Sequence, residues 1–397
     1  MKELKTPYYV IEKGNLDMNF QLFQESLENF WPNYIIGYSY KTNALPWIVK
    51  HFQDMGCYAE VVSKDEYELS QLIGTKSGNL IYNGPIKSRE SFLEAIKNGC
   101  IVNIDSQREL RWISDLVSEG VQNYRIGLRV NFDIEKYCPG HSACGDEGGR
   151  FGFCYENGEL KKALEFLKMR NIAVSGLHLH TSSKSREVCV YDAISKVACE
   201  IAQKYELNLK YVDIGGGFFG GLASKPSFDK YLEIVRTNLS QYFNAKETTL
   251  IVEPGMAIVG AFIRYVTSVI DVKDTTYNRF VITDGSRTNI DPLMTKSRYD
   301  YSIIHKSQGN NVKKQVVSGY TCMENDRLFI AEDQEELRVG DMIIYNKVGA
   351  YTMCLTPLFI SYFPDVYVED ERLELIRPAW TASEYFANNT GRNVDVW

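Results

Sequence analysis

Apolar residues recur along the first two-thirds of this chain in short unbroken runs, and the stretches between them follow a three-to-four-residue rhythm. Eight runs stand out: YIIGYSY (34–40), CYAEVVS (57–63), NLIYNG (79–84), CIVNID (100–105), YRIGLRVN (124–131), VSGLHLH (174–180), YVDIGG (211–216) and TLIVEP (249–254). Runs this short and this rich in branched and aromatic residues predict strands buried on both faces, as in a parallel sheet. The intervening segments, among them KDEYELSQLIG (64–74), SRESFLEAIKNG (88–99) and SREVCVYDAISKVACEIAQKY (185–205), predict helices. Several open on Ser, which caps free N–H groups, and several close on Gly. Eight strand–helix repeats predict an α/β fold built on a (β/α)8 TIM barrel over residues 30–260.

Beyond residue 260 the pattern changes to strand-like segments without long helices, such as FIRYVTSVIDVKD, KQVVSGYTC and DMIIYNKVGAY. These predict an antiparallel β-sandwich or β-barrel domain over 261–397. Residues 1–29 are grouped with it, because YYVIEK precedes the first barrel strand and reads as a further strand of the β domain.

In a TIM barrel, polar residues at the C-terminal strand ends converge on one mouth. Here those ends carry Lys41, Glu60 with Ser63, Asn83, Asp105, Arg129, His180, Gly215-Gly216-Gly217 and Glu253. Taken singly, each has a plain structural reading: a surface lysine, a satisfied histidine, a tight turn. Together they place an amine, an imidazole, a glycine turn and a carboxylate at four strand ends. The DIGGGFFGG turn lets backbone N–H groups approach a phosphate, yet lacks both the dinucleotide GxGxxG and the P-loop GK[ST], so a phosphate monoester fits better. A phosphate cradle, a nucleophilic amine and a carboxylate able to keep a ring nitrogen protonated are the parts that pyridoxal 5'-phosphate (PLP) requires.

Composition narrows the partners. A formal net charge of −7 without a basic run disfavours nucleic acid and anionic membrane surfaces, leaving small molecules. Nine cysteines behind an N-terminus with no apolar leader suit a reduced, cytoplasmic protein. No stretch approaches the roughly 18 apolar residues of a membrane span. The segment YCPGHSACGDEGGRFGFC (137–154) offers Cys138, His141, Cys144 and Cys154, but this spacing fits no common structural zinc site, so no metal is expected.

With these residues in view, the chain resembles the fold-type III PLP-dependent decarboxylases, which include the ornithine and diaminopimelate enzymes and share the alanine racemase-like fold. YSYKTN resembles their Y-x-x-K-x-N, LHLHTSS their H-x-G-S, VDIGGGF their D-x-G-G-G-F/L, IVEPG their E-P-G, SGYTCMENDRL their G-P-x-C-[DE]-x-x-D, and KVGAYTM their G-A-Y. The resemblance runs from residue 6 to about 362 and implies a PLP-dependent amino-acid decarboxylase. By it, Lys41 is the Schiff-base lysine, His180 stacks on the pyridine ring, and Glu253 pairs with the ring nitrogen. Ser183, Gly215, Gly216, Gly217 and Tyr351 hold the phosphate, Glu60 and Arg129 lie near the cofactor, and Cys322 protonates or shields the carbanion. The family's loop ending in K-F-G corresponds to Arg150-Phe151-Gly152, implying a substrate-covering loop over 137–154. The resemblance also implies a homodimer with shared sites, each taking Cys322 from the partner chain.

Three departures bear on substrate. The family's E-P-G-R reads EPGMA here, with Met256 in the arginine's place. The acidic residue after the cysteine is Met323, with Glu324 one place later. An arginine that diaminopimelate enzymes carry before a proline is Asp291, leaving Arg287 as a substitute cation. These changes disfavour diaminopimelate and favour an unusual or conjugated amino acid in a siderophore or other natural-product pathway. A racemase of the same fold and a PLP-free regulatory homologue are the alternatives.

Overall fold

A computed structural model describes residues 4–181 and 184–391. The chain divides into two compact units, residues 19–258 on one side and residues up to 18 with those from 259 on the other. It opens with strand β1 (Tyr8–Glu12) and helix α1 (Lys13–Phe30).

The larger unit follows the alternation of the sequence: β2 (Tyr34–Ser39), α2 (Pro46–Asp54), β3 (Tyr58–Ser63), α3 (Lys64–Ile73), β4 (Leu80–Ile86), α4 (Arg89–Lys97), β5 (Ile101–Ile104), α5 (Gln107–Ser118), β6 (Arg125–Asn131), β7 (Phe153–Cys154), α6 (Glu159–Lys168), β8 (Gly176–His178), α7 (Val188–Lys204), β9 (Tyr211–Asp213), α8 (Phe228–Leu239) and β10 (Thr249–Val252). Eight of these strands pair in parallel in the order β5-β4-β3-β2-β10-β9-β8-β6, and β5 pairs again with β6, closing the barrel. The two-residue β7 adds to the outer side of β6 and falls outside the eight-run pattern. Serines begin the helices as the sequence suggests: the hydroxyls of Ser63, Ser88 and Ser106 accept from the N–H of Glu66, Ser91 and Glu109. Gly74 ends α3 at φ 86°, a left-handed conformation that costs glycine nothing.

The barrel interior is filled in layers. Ile81, Ile101, Tyr211 and Ile251 form an apolar cluster with Ile35 and Tyr58 packed on it. Tyr211 fits because β6 and β8 have glycines facing it: a Cβ on Gly176 would lie 2.2 Å from its ring, and one on Gly127 2.4 Å from its hydroxyl. That hydroxyl donates to Asn103 Oδ1 at 2.8 Å, so the apolar layer ends in a polar one.

The other unit is a sheet built on β1, β11 (Ile263–Asp274), β12 (Arg279–Thr283), β13 (Tyr301–Ile304), β14 (Asn311–Ser318), β15 (Arg327–Glu335), β16 (Met342–Tyr345), β17 (Asp365–Glu369) and β18 (Leu373–Arg377). β1 lies between β11 and β17. The sheet is mixed: most pairs are antiparallel, but β1 with β17 and β12 with β14 run parallel, a direction that the sequence pattern does not carry. Among the described residues no helix is long and apolar enough to cross a membrane.

Candidate active site

Strand β2 hands the chain to a single 3-10 turn, Tyr40–Thr42, which sets Lys41 at the C-terminal mouth of the barrel. Gly255 permits the turn to sit there, since a Cβ on it would lie 2.0 Å from Thr42 Oγ1. Lys41 Nζ is 2.7 Å from Glu60 Oε2, with Glu60 fully buried. The same carboxylate accepts from Ser39 Oγ at 2.6 Å and from Asn83 Nδ2 at 2.9 Å. Glu60 is thereby fixed by neighbouring strands before it meets the amine.

Asn83 bridges Glu60 to Glu253, donating to both. Its own oxygen accepts from Asn103, which also donates to Asp213 at 3.1 Å. His178 Nε2 lies 3.4 Å from Glu253 Oε2. Asp213 and Glu253 form one buried acidic pair. Burial, then Glu253's charge, push the Asp213 carboxyl well above the usual carboxylate range. Burial alone would raise Glu253 too, but His178, Lys41 and a hydrogen bond from Asp213 outweigh it and keep Glu253 ionised.

His180 stands above this layer, its ring nearly parallel to that of His178 at 6.4 Å. Burial, then the charge of Arg129, pushes its pKa down to about 3, so at neutral pH it presents an uncharged imidazole face. Its Nδ1 is buried with no hydrogen-bond partner among the described residues. Arg129, also buried, lies over the Phe151 ring at 4.6 Å and donates to the His180 carbonyl at 3.4 Å. Gly152 packs against the Arg129 backbone, where a Cβ would come within 2.4 Å of its carbonyl oxygen. The 150–152 motif is thus a clamp on Arg129, and the loop before it borders a cavity of about 560 Å³ that reaches His180 and Thr181.

The glycine turn is pinned from three sides. Gly215 N–H donates to Asp213 at 2.9 Å, Glu253 N–H donates to Gly215 O at 2.8 Å, and Tyr191 O–H donates to Gly216 O at 2.8 Å. A Cβ on Gly215 would fall 2.4 Å from His180 Cβ, and one on Gly216 2.1 Å from Glu253 O. Gly216→Ala is therefore expected to destabilise the fold by about 1–3 kcal/mol through overpacking and to displace Glu253. Denaturant melts and retention of bound cofactor on gel filtration measure both effects.

The structure brings Lys41, Glu60, Arg129, His180, Gly215, Gly216, Gly217 and Glu253 to one barrel end. Ser183 lies outside the described residues. Cys322, Tyr351, Arg287 and Glu324 belong to the sheet unit. There Cys322 is exposed and lines an open cleft of about 290 Å³ with Phe280, Met323 and Arg327. Its loop is organised by buried Asp326, which accepts from Ser286, Thr321 and the Arg287 N–H. Tyr351 adopts φ 55°. The Arg287 guanidinium is engaged by Asp291, with two contacts at 3.1 and 3.0 Å. Glu324 is almost fully exposed.

Sequence reasoning named Asn83 only as a strand end and missed Asn103, His178 and Asp213. Their signal was polar residues at inward positions of otherwise apolar strands. One reading needs correction: Cys138 is not a free packed thiol but is joined to Cys189 in a disulfide. Cys189 lies in the first turn of α7, far from Cys138 in sequence, and only the packing of that helix beside the loop brings the two together.

Comparison with known proteins fits this geometry. The family described as "Pyridoxal-dependent decarboxylase, pyridoxal binding domain" matches residues 13–260, and "Pyridoxal-dependent decarboxylase, C-terminal sheet domain" matches 188–349. The chain belongs to the pyridoxal-dependent decarboxylases. Diaminopimelate decarboxylase of Aquifex aeolicus is 27% identical over 386 residues, covering 94% of this chain and 89% of that one. Antizyme inhibitor 2 of Xenopus laevis is 25% identical over 382 residues, covering 91% and 80%. A solved structure of the Methanocaldococcus jannaschii diaminopimelate decarboxylase superposes with a TM-score of 0.86 at 22% identity, over 98% of this chain and 93% of that one. The fold is that of the pyridoxal-dependent decarboxylases, the cofactor is PLP, and the chain is an amino-acid carboxy-lyase. The mouth suits that cofactor: glycines at 215, 216 and 217 leave the turn's backbone N–H groups without side chains over them, and Glu253 is a buried carboxylate kept ionised.

Proposed function

We propose that this decarboxylase acts on an α-amino acid or an amino-acid conjugate in a biosynthetic pathway, of siderophore or other natural-product type, with Lys41 as its reactive amine. PLP supplies an electron sink for the bond that releases CO₂. Lys41 would offer the amine that holds the cofactor, with Glu60 orienting it. Glu253 would sit against the cofactor's ring nitrogen as a carboxylate, His180 would offer an uncharged face for stacking, and the glycine turn would receive the phosphate together with Ser183 and Tyr351. Cys322 would hold or guard a proton at the reacting carbon. The observation that carries this reading is the ionised Glu253 held inside the barrel by His178 and Asn83.

Substrate choice rests on the departures at Met256, Asp291 and Met323. Asp291 engages Arg287, so the nearest substitute cation is already satisfied, and this supports a substrate other than diaminopimelate. The relatives' name favours diaminopimelate as the second reading. Incubating the PLP-loaded protein with diaminopimelate, other α-amino acids and their citrate or succinate conjugates, and following loss of CO₂ by mass spectrometry, separates the two. A chain that binds PLP yet releases no CO₂ from any of them would point to racemisation, checked by chiral chromatography. One that binds no PLP would point to a regulator.

Each site takes Cys322 from a second copy in this reading, which makes the enzyme an obligate homodimer with two composite sites. Mixing inactive Lys41→Ala and Cys322→Ala chains then regenerates one complete site in about half of the randomly assorted dimers, so activity should return to roughly a quarter of the unmodified level. No recovery after verified subunit exchange would mean that Cys322 acts in its own chain's site or not at all.

A further inference from the structure

We infer that Cys138, His141 and Cys189 form a binding site for a zinc-like divalent cation once the disulfide is reduced, a site that ties the loop bordering the cavity to helix α7. One ligand atom from each residue lies within 4.8 Å of those of the other two. Neighbouring donors in a tetrahedral zinc site stand roughly 3.3–3.8 Å apart, given Zn–S near 2.3 Å and Zn–N near 2.0 Å. Reduction frees the two sulfurs to move to that spacing, taking two electrons and two protons from two thiols that become a disulfide, or two electrons from a phosphine and two protons from the water whose oxygen ends on the phosphine oxide. Metal binding then releases the thiol protons.

Three observations favour a metal over a bare redox pair. Cys144 and Cys322 are exposed thiols, and Cys57, Cys100, Cys154 and Cys199 are thiols too. A chain with so many thiols suits a reducing environment, where one isolated disulfide does not persist and paired sulfurs need another purpose. His141 is the second point. His141 Nδ1 is buried without a hydrogen-bond partner among the described residues, which leaves its lone pair available to a cation. The third is the turn that presents it: the Glu135 carboxylate accepts from the N–H of Gly140 and of Ser142 on either side of His141, fixing the backbone there. Cys138 is buried and anchored by its N–H to Ile134 O at 2.9 Å, while Cys189 occupies the first turn of a 17-residue helix, where the dipole favours a thiolate.

The sequence concealed the site because its third ligand is 51 residues from Cys138. Ser142, Ala143 and Cys144, directly after His141, line the 560 Å³ cavity with His180, so a cation here fixes that cavity's rim.

The test uses the PLP-loaded protein, reduced with a phosphine and freed of metal by chelation. It should take up one zinc per chain, and cobalt(II) in its place should give the visible bands of a tetrahedral thiolate site. Cys138→Ser and Cys189→Ser should abolish both signals, Cys144→Ser should leave them, and His141→Ala should weaken zinc binding at least about tenfold. His141→Ala truncates one half-buried side chain in a turn and leaves both sulfurs in place, so it keeps the test readable if a cysteine variant fails to fold. Reduced protein that binds no zinc, or a His141→Ala protein that binds it undiminished, would overturn the assignment.

Discussion

Replacing Lys41 with alanine should lower turnover by about 10⁴-fold or more, equivalent to roughly 5.5 kcal/mol of barrier. The amine sits 2.7 Å from Glu60, and Glu60 is held by Ser39 and Asn83, so the substitution removes the proposed nucleophile without dismantling its support. A second lysine follows a barrel strand at the same end. Lys87 is fully buried, donates to Gly84 O at 2.6 Å and pairs with Glu109 at 3.1 Å; burial draws its pKa down in spite of that partner. Loss of activity in Lys41→Ala alone would not separate the two amines, so the decisive measurement is chemical. Borohydride reduction of the loaded enzyme should attach the cofactor to the peptide carrying Lys41. Attachment to the Lys87 peptide would transfer the nucleophile's role.

Glu253→Gln should retain PLP yet reduce kcat by about 10²-fold, since one preorganised charge at the reacting ring is lost. The amide fills the same volume and can keep its contact with Asn83, so fold and binding are expected to survive. Two further consequences follow from the buried pair. Without the anion at 253, Asp213 loses a charge that adds to burial in raising its pKa, and His178 loses the carboxylate 3.4 Å from Nε2. Absorbance of bound cofactor alongside kcat checks the assignment: a variant that holds PLP and turns over normally would contradict it. Glu253→Asp should recover only part of the loss, because the shorter carboxylate retracts toward its own strand and away from Asn83.

Much of this was legible because parallel barrel strands are buried on both faces and therefore appear as unbroken apolar runs. All eight runs became barrel strands, and Lys41, Arg129, His180, the glycine turn and Glu253 fell at their ends as the topology requires. The glycines at 215 and 216 were read as a phosphate cradle, and the structure adds a packing reason, since His180 and Glu253 leave no room for a side chain. Partnership across long separations was not legible. Asn103 and Asp213 read as single polar interruptions in apolar strands, and their hydrogen bond arises only when the barrel closes. Strand direction in the sheet unit escaped for the same reason, because alternation of burial identifies a strand without specifying its neighbour. Cys189 looked like one apolar position on a helix until that helix was placed beside Cys138.

The polar layer under the mouth also bears on how such an enzyme can be altered. Asn83, Asn103, Asp213, His178 and Glu253 are locked to one another and fully enclosed, whereas residues 137–152 form a loop fastened to the barrel at separate points, among them Cys138 to Cys189, Tyr137 to Glu200 and Gly152 to Asp105. A change of rim residue alters what is admitted and leaves the cofactor's charge environment intact. A change in the layer below shifts several ionisation states at once. New substrate preferences are therefore accessible through the rim in single steps, while the floor resists piecemeal exchange and must be inherited or redesigned as a block.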